Sequence, residues 1–251
     1  MARALALVVP SRGRPHNIGR LLEAMDQTCR GDTHLIVGVD GDDPMLPDYR
    51  AFNGLEVIVR TGLQRQLVRW LNVLAVPRAN DYSFIGHVGD DNVPRTVGWD
   101  VRVMESLERQ GPVGFCFGDD LDPGRVPGSL SIHIFMTSNV IRRLGYMGPP
   151  RLRHMYVDPV WYAWGQASSL EFLPDVVIEH LHYTVSGKAQ LDETYAHSTG
   201  LIPADCASYN DYCEDPTGMN GDIAKLAGAP YTAEGMAEFN RQLNIPRRWA
   251  A

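Results

Sequence analysis

Residues 82–92 read YSFIGHVGDDN, an apolar run that ends in two aspartates and an asparagine. The run predicts a buried strand, with Asp90, Asp91 and Asn92 at its end. Adjacent carboxylates repel each other and lose hydration when they are partly enclosed, so a divalent cation is the usual reason to place them together. A polar turn is the alternative interpretation, because aspartates are also common in turns. The stretch therefore indicates a strand end with a candidate Mg²⁺ or Mn²⁺ site.

Two earlier predicted strands also end in polar side chains. Residues 4–9 (ALALVV) run into a loop that starts at Pro10, and residues 34–39 (HLIVGV) are followed by Asp40. Continuous apolar runs of this kind are typical of strands buried on both faces. Strands that alternate with helices predict an α/β fold with one Rossmann-like mixed sheet flanked by helices. Ligands of such sheets bind beyond the carboxyl ends of the strands, so these polar groups are expected at one edge.

The remaining pattern predicts further elements in the same alternation. Helices are predicted at residues 17–28, 64–74 and 139–144, and strands at residues 55–59, 113–117, 131–137, 170–173 and 176–182. Another helix is expected to begin at Pro94 and to stop at Gly111, because proline is favoured in the first turn of a helix. From residue 199 onward the chain is weakly periodic and is expected to form an extension.

The charge balance and the cysteines exclude several classes of protein. The 251 residues carry 23 Lys and Arg against 30 Asp and Glu, a formal net charge of −7. A duplex-binding surface is normally basic, so a nucleic acid is disfavoured as partner or acceptor. No apolar run reaches the ~20 residues that span a bilayer. Four cysteines without a C-x-x-C pair favour a reduced, cytoplasmic protein without a zinc site.

Several basic residues are candidates for anion binding. Arg12 and Arg14 lie in the loop after the first strand, and Arg65 lies on the polar side of a predicted helix. Guanidinium groups pair bidentately with phosphate oxygens, so these arginines are expected near a nucleotide or a diphosphate. Lys188, in a polar loop, is a candidate for contact with phosphate or sugar. A solvated surface position is the alternative for each of them.

An aromatic segment surrounds one carboxylate in the second half of the chain. Residues 156–165 read YVDPVWYAWG, with Asp158 near the start. A hydroxyl acceptor needs a group that takes its proton, and sugars pack on aromatic faces. Asp158 is therefore a candidate general base, and Tyr156 and Trp161 are candidate contacts for sugar or acceptor. An ordinary helix start is the alternative, because Pro159 follows Asp158.

Two histidines form the last candidate pair. His180 and His182 lie two residues apart, so on a strand both side chains point to one face. Either of them would complete a metal site with the two aspartates. A position in the polar core or on the surface is the alternative.

Taken in order, these motifs resemble the GT-A glycosyltransferases, in particular the family-2-type enzymes and their small phage-encoded relatives. The resemblance covers about residues 4–195. It rests on the following stretches: Val8-Val9-Pro10-Ser11-Arg12, Asp40, Gly89-Asp90-Asp91-Asn92 as a variant of D-x-D, Asp158, and Glu179-His180-Leu181-His182.

The resemblance implies a role for each group of residues. Pro10, Ser11, Arg12 and Asp40 line the nucleotide, as Arg65 and Asp90 are also expected to do. Asp90 and Asp91 stand at the metal and the diphosphate, and His180 or His182 binds the same metal. In inverting members an acid at the position of Asp158 takes the proton from the acceptor. Where the family usually has two adjacent acids, this chain has Val157-Asp158. Because D-D-N is a variant of D-x-D, which of its residues touches the metal stays open.

The resemblance also implies a domain organisation. Residues 1–198 form the catalytic domain, with a nucleotide-binding half at about 1–122 and an acceptor half at about 123–198. Residues 199–251 form a C-terminal extension packed on or near the site.

The sequence thus predicts a glycosyltransferase that uses Mn²⁺ or Mg²⁺ and a nucleoside-diphosphate sugar, with UDP favoured over GDP. The acceptor is a hydroxyl on a protein, a glycan or a small molecule, and the stereochemical outcome stays open. A cytoplasmic location is expected, in the host cytoplasm if the chain is phage-encoded. A sugar nucleotidyltransferase is one alternative, although its Gly-rich, Lys-containing first loop is missing. A non-catalytic carbohydrate-binding protein that stacks sugars on Trp161, Tyr162 and Trp164 is the other.

Overall fold

The computed structural model describes residues 4–63, 65–130, 132–183 and 191–227, together with residues 234 and 241. Its described strands are β1 (Ala4–Ser11), β2 (Asp32–Asp40), β3 (Leu55–Arg60), β4 (Phe84–His87), β5 (Asn92–Pro94), β6 (Phe115–Asp119), β7 (Ile134–Thr137) and β8 (Leu170–His180). Its described helices are α1 (Pro15–Thr28), α2 (Leu46–Arg50), α3 (Leu67–Arg78), α4 (Trp99–Gln110), α5 (Ser138–Leu144), α6 (Val157–Ala167), α7 (Glu193–Glu214) and α8 (Met219–Ala227).

All described strands belong to one mixed sheet with the order β3-β2-β1-β4-β7-β6-β8-β5. Strands β3, β2, β1 and β4 are parallel, whereas β7 runs antiparallel to both of its neighbours and β5 runs antiparallel to β8. The predicted α/β class with a mixed, helix-flanked sheet is therefore confirmed.

Strand β1 lies in the interior of the sheet because its residues are apolar on both faces. Side chains of a strand alternate between faces, so the two sets enter different cores. One face of β1 contributes Ala6 and Val8 to a core with helices α3, α5 and α6, and the other contributes Leu5, Leu7 and Val9 to a core with α1 and α4. Helices on both faces explain why ALALVV has no polar residue.

The parallel strands bring their carboxyl ends to one edge of the sheet. Strand β1 ends at Ser11, which is in register with Val39 of β2, and β4 ends at His87 in register with Val8. The loops after these strands carry Arg12, Asp40 and the pair Asp90 and Asp91, so the expected meeting of polar strand ends is confirmed.

The structure corrects the prediction that a helix begins at Pro94. Asn92–Pro94 forms β5, which pairs with β8 at the edge of the sheet, and α4 begins only at Trp99 after Gly98. A proline is tolerated in an edge strand, because it has no amide hydrogen to contribute to the ladder. Gly98 has φ of 75°, a left-handed conformation that favours glycine.

The second half of the chain is more regular than predicted. Residues 170–180 form one strand, β8, instead of two, with a register shift between Gly118 and Asp119 of β6. The weakly periodic tail contains α7, which continues to Glu214 although Pro203 lies inside it, and then α8. The expected domain boundary between residues 198 and 199 falls within α7. None of the helices in the described part of the chain combines the length and apolar character that a membrane crossing requires.

Candidate active site

A cavity of about 410 Å³ opens at the edge where β1, β2 and β4 end. Helix α6, the end of β8 and helix α7 close its other sides. The sequence-predicted residues that line it are Pro10, Ser11, Arg12, Asp40, Arg65, Asp90, Asp91, Asp158, His180 and His182. The tertiary structure thus brings most of the candidate residues into one place.

The turn after β4 presents both aspartates to the cavity. The side-chain oxygen of Asn92 accepts a hydrogen bond from the amide of Gly89 at 2.5 Å, and the amide of Asn92 donates to the Gly89 carbonyl at 3.1 Å. Asn92 is fully buried and holds this turn closed. Asp90 and Asp91, each 8% exposed, line the cavity together with Asn92, whose side-chain oxygen is engaged in the turn.

Asp90 is held by groups from the loop after β1. Its oxygens accept hydrogen bonds from the Ser11 hydroxyl at 2.7 Å and from the Arg14 guanidinium at 3.1 Å. Burial raises the pKa of Asp90 to about 6, the Arg14 charge works against this shift, and the neighbouring Asp91 charge adds to it. Asp90 is therefore fixed by the protein itself.

Asp91 is the more acidic carboxyl of the pair. Its Oδ2 accepts a hydrogen bond from the Tyr195 hydroxyl at 2.7 Å and lies 3.5 Å from Nε2 of His180. Burial alone would raise the pKa of Asp91, but the interactions with His180, Tyr195 and Arg14 outweigh burial and hold it below its usual range. Asp91 is thus the anionic group available to a cation.

Asp91 and His180 fit a divalent cation as two protein ligands. The pairing of Asn92 with His180 between β5 and β8 sets the imidazole beside Asp91, and Nδ1 of His180 is buried without a hydrogen-bond partner among the described residues. In the described part of the chain no group of three or more His, Cys, Asp or Glu forms a metal cluster. Mg²⁺ is commonly held by one or two carboxylates together with substrate phosphates and water, which matches this sparse set.

His182 differs from His180 in its surroundings. Its ring lies edge-on to Tyr195, with the ring centroids 4.4 Å apart, and contacts Tyr183 at 4.5 Å. Burial and the His180 charge lower the pKa of His182. Of the two histidines, His180 has the nitrogen beside Asp91.

Asp40 organises the wall of the cavity at the end of β2. It is 2% exposed and accepts hydrogen bonds from the Trp70 indole at 2.8 Å, from Arg12 at 3.1 Å and from the backbone amide of Arg65 at 3.1 Å. Arg65 has φ of 56°, so Asp40 holds an uncommon backbone conformation in place. One carboxylate therefore positions an aromatic ring and two arginines along this wall.

Arg14 and the start of α7 form a connection across the mouth of the cavity. The Arg14 guanidinium binds both oxygens of Asp192 at 2.6 Å and lies 3.9 Å from the centre of the Tyr195 ring. Asp192 also caps α7 by accepting a hydrogen bond from the Tyr195 amide at 2.9 Å. The sequence pattern indicates Arg14 together with Arg12 as candidates for anion binding but carries no signal for Tyr195 or Asp192, because their contacts join distant parts of the chain.

Asp158 lies in the first turn of α6 and faces the cavity. Burial raises its pKa to about 6; the charges of Arg125 and His180 lower it, and that of Asp120 raises it. No described residue makes a hydrogen bond to its carboxylate. A partly buried carboxylate with a pKa near neutrality is suited to accept a proton. Asp158 also lies at a helix start, which is the alternative interpretation of the sequence.

The structure corrects the expectation for the aromatic residues of α6. Trp161 is 1% exposed, packs against His87 and donates its indole hydrogen to the Met147 carbonyl at 2.7 Å. Trp164 is fully buried, and Tyr156 packs against Tyr209. The rings of Trp161 and Trp164 fill the core, because α6 lies with its apolar face on the sheet, so they form no exposed stacking surface. Tyr156 precedes α6, is partly buried and does not line the cavity. Lys188 lies outside the described residues.

The chain is similar to solved structures of low sequence identity. S. aureus TarS 1–349 matches with a TM-score of 0.55 at 13% identity, over 89% of this chain and 81% of that chain. The complex of TarS 1–349 with UDP-GlcNAc matches with a TM-score of 0.55 at 12% identity, over 97% of this chain and 82% of that chain. A mycobacterial protein matches with a TM-score of 0.54 at 15% identity, over 82% and 75%.

Neither a protein family nor a curated protein sequence matches the chain. At 12 to 15% identity the structural matches concern the fold alone. The chain has the mixed α/β architecture of the GT-A fold, which the resemblance of its motifs implies.

Proposed function

We propose that this chain is a glycosyltransferase that moves a sugar from a nucleoside-diphosphate sugar to a hydroxyl acceptor, with a divalent cation at Asp91 and His180. The observation that carries the proposal is the cavity itself. It brings Asp91 and His180, several arginines and the carboxylate of Asp158 into one space at the edge where three parallel strands end. TarS, which has a similar fold, has been solved with UDP and with UDP-GlcNAc, which favours a UDP-sugar over a GDP-sugar as donor.

Each part of the cavity has a task in this reaction. The departing nucleoside diphosphate concentrates negative charge, and a bound Mg²⁺ or Mn²⁺ supplies stabilisation of that charge. Arg14 and Ser11 hold Asp90, while Asp40 positions Arg12 and Arg65 on the nucleotide side. Asp158, in the first turn of α6, takes the proton from the acceptor hydroxyl.

In this proposal residues 1–122 hold the donor and residues 123–198 bind the acceptor. Helix α7 continues from the acceptor half into the C-terminal extension. Ser198, Thr199 and Ile202 on α7 line the cavity beside Met155 and Val157. The acceptor is a hydroxyl on a protein, a glycan or a small molecule.

A thermal-shift experiment tests the cation and nucleotide site. UDP, UDP-N-acetylglucosamine, UDP-glucose and GDP-mannose are added to the wild-type protein with Mn²⁺ or with EDTA. At ligand concentrations roughly a hundred times Kd, binding should raise Tm by about 5–10 °C, and EDTA should remove most of the shift. Asp91→Asn should lose the Mn²⁺-dependent part, because the amide keeps the size of the side chain but not its charge.

The matched control is Asp26→Asn, which changes an exposed aspartate of α1 away from the cavity and should respond like the wild type. A wild-type protein that no nucleotide stabilises would contradict the proposal. Analysis of the products separates the chemistries, since a glycosyltransferase releases a nucleoside diphosphate whereas a nucleotidyltransferase releases pyrophosphate from a nucleoside triphosphate.

A further inference from the structure

His87 is a cavity residue to which the proposed reaction assigns no task. It ends β4, three residues before Asp90, and is 4% exposed. Although it is almost enclosed, it lines the cavity. This buried imidazole lies in the same cavity as Asp90 and Asp91, and the sequence pattern alone does not single it out.

The hydrogen bond of His87 determines which ring nitrogen carries the proton. Its Nδ1 lies 3.0 Å from the carbonyl oxygen of Val8 on the neighbouring strand β1. A carbonyl only accepts hydrogen bonds, so Nδ1 is the protonated nitrogen. Burial lowers the pKa of His87 to about 4, and the ring is neutral at physiological pH. Nε2 therefore presents a lone pair, and no described residue bonds to it.

Packing holds the imidazole in place at the wall of the cavity. The indole of Trp161 lies 5.7 Å from the imidazole, centre to centre, and is itself anchored to the Met147 carbonyl. The Val8 hydrogen bond holds the opposite side of the ring. The acceptor nitrogen is thus preorganised, and it needs a partner that donates a hydrogen bond.

The charges around the cavity limit what that partner is. Arg12 faces Asp40 and Asp42, and Arg14 faces Asp90 and Asp192, so both of these arginines are already paired with carboxylates. The Asp91 charge also acts on His87. A sugar with its own carboxylate would meet the lone pair of a neutral imidazole and two arginines that are already paired, whereas a hydroxyl group can donate to that lone pair.

We propose that Nε2 of His87 accepts a hydrogen bond from a ring hydroxyl of an uncharged donor sugar and so selects the sugar that is transferred. The inference rests on the proposed glycosyltransferase function and assigns the sugar subsite to the end of β4. The donor sugar is favoured over the acceptor, because it is bonded to the diphosphate and must lie next to Asp90 and Asp91.

The test compares binding of a sugar nucleotide with binding of the nucleotide alone. Isothermal titration with Mn²⁺ measures UDP, UDP-glucose, UDP-N-acetylglucosamine and UDP-glucuronic acid against the wild type and His87→Asn. Asparagine keeps a donor for the Val8 carbonyl but has no group at the position of Nε2. The variant should bind the preferred uncharged sugar nucleotide about tenfold more weakly, with UDP affinity unchanged within about twofold. The wild type should bind UDP-glucuronic acid no more tightly than it binds UDP.

Monodeoxy donors identify the hydroxyl. Removal of the hydroxyl that meets His87 should weaken wild-type binding about tenfold and should not weaken binding by His87→Asn further. His87→Gln places an amide oxygen near the position of Nε2 and should recover part of the discrimination. His133→Asn is the matched control, since His133 is buried but does not line the cavity, and it should keep the wild-type ratio between sugar nucleotide and UDP.

Two results would overturn the inference while leaving the proposed function intact. One is a loss of affinity in His87→Asn that is equally large for UDP and for the sugar nucleotide. The other is unchanged donor binding together with a raised KM for the acceptor, which would move His87 to the acceptor side. Absence of binding by the wild type to UDP and to every sugar nucleotide, GDP-mannose included, would instead overturn the proposed function and this inference with it.

Discussion

Burial of Asp158 lowers the stability of the folded protein and also makes its carboxylate a suitable base. Its carboxylate is partly buried, faces the cavity and has a pKa raised to about 6. A group of this kind is a suitable base because it is ionised at neutral pH but still binds a proton readily. The same burial makes the ionised form unfavourable in the folded protein.

The first prediction concerns the rate. Asp158→Asn should lower kcat for sugar transfer roughly 10²–10⁴-fold, because the acceptor hydroxyl loses its base. The wild-type kcat/KM should rise with pH through about 6, where Asp158 loses its proton, and this limb should be absent from the variant. Thermal shifts by UDP and Mn²⁺ should match those of the wild type. An unchanged transfer rate would show that Asp158 is not the base.

The second prediction concerns stability and has a definite sign. The pKa of Asp158 is raised from 3.8 to about 6 on folding, so ionisation destabilises the folded state above pH 6 and has no effect below the unfolded value. Asp158→Asn should therefore raise Tm at pH 7.5 by about 2–4 °C, if the gain is on the order of 1 kcal/mol. The gain should shrink at pH 5. A Tm that falls equally at both pH values would contradict the pKa shift.

At the scale of the element, the first turn of α7 holds the cavity closed on one side. Asp192 binds Arg14, Glu193 pairs with Arg65, and Tyr195 donates to Asp91. These contacts join α7 to the loops after β1 and β4 over separations of up to 178 residues. The turn therefore depends on both its own cap and its partners across the cavity.

The third prediction separates the cap of α7 from its ion pair. Asp192→Ser keeps a capping oxygen and loses the pair with Arg14, whereas Asp192→Ala loses both. Because Asp192 is partly exposed, we expect the serine variant to lose about 0.5–1 kcal/mol of the free energy of unfolding in urea. The alanine variant should lose about 1 kcal/mol more. Equal losses in the two variants would show that the cap contributes nothing.

At the scale of the whole molecule, Asp222 links helices α7 and α8 to the rest of the fold through hydrogen bonds. It is fully buried in α8 and accepts hydrogen bonds from the hydroxyl groups of Tyr146 and Tyr212, both at 2.5 Å. Tyr212 lies on α7. The other end of this helix contains Tyr195, whose hydroxyl donates a hydrogen bond to Asp91. One buried carboxylate thus connects the core around α6 with the helix that covers the cavity.

The fourth prediction tests this connection. Asp222→Ala leaves two tyrosine hydroxyls without their partner, each at a cost of about 1–3 kcal/mol, so Tm should fall by about 4–24 °C. Tyr146→Phe removes one of the two hydrogen bonds and leaves no unpaired group of its own, so its effect should be clearly smaller. Differential scanning calorimetry measures both. A Tm of Asp222→Ala within about 1 °C of the wild type would contradict a fastening role.

The strand ends are the part of the site that the sequence predicted well. An apolar run followed by polar residues is a local pattern, and parallel strands place their carboxyl ends at one edge whatever the rest of the chain does. Ser11, Asp40, Asp90 and Asp91 were found in this way. The start of α4 and the continuity of β8 were not, because β5 exists only through its pairing with β8.

The amino-acid sequence by itself determined the α/β class, the sheet edge that holds the site, and the carboxylates that end the strands, since each depends on periodicity within a short stretch. The tertiary structure alone decided that the Tyr195 hydroxyl donates a hydrogen bond to Asp91 across 104 residues, that the Trp161 ring is buried in the core, and that His87 lines the cavity. These features depend on which distant side chains meet, and the free energy that selects such contacts appears only when the whole chain packs.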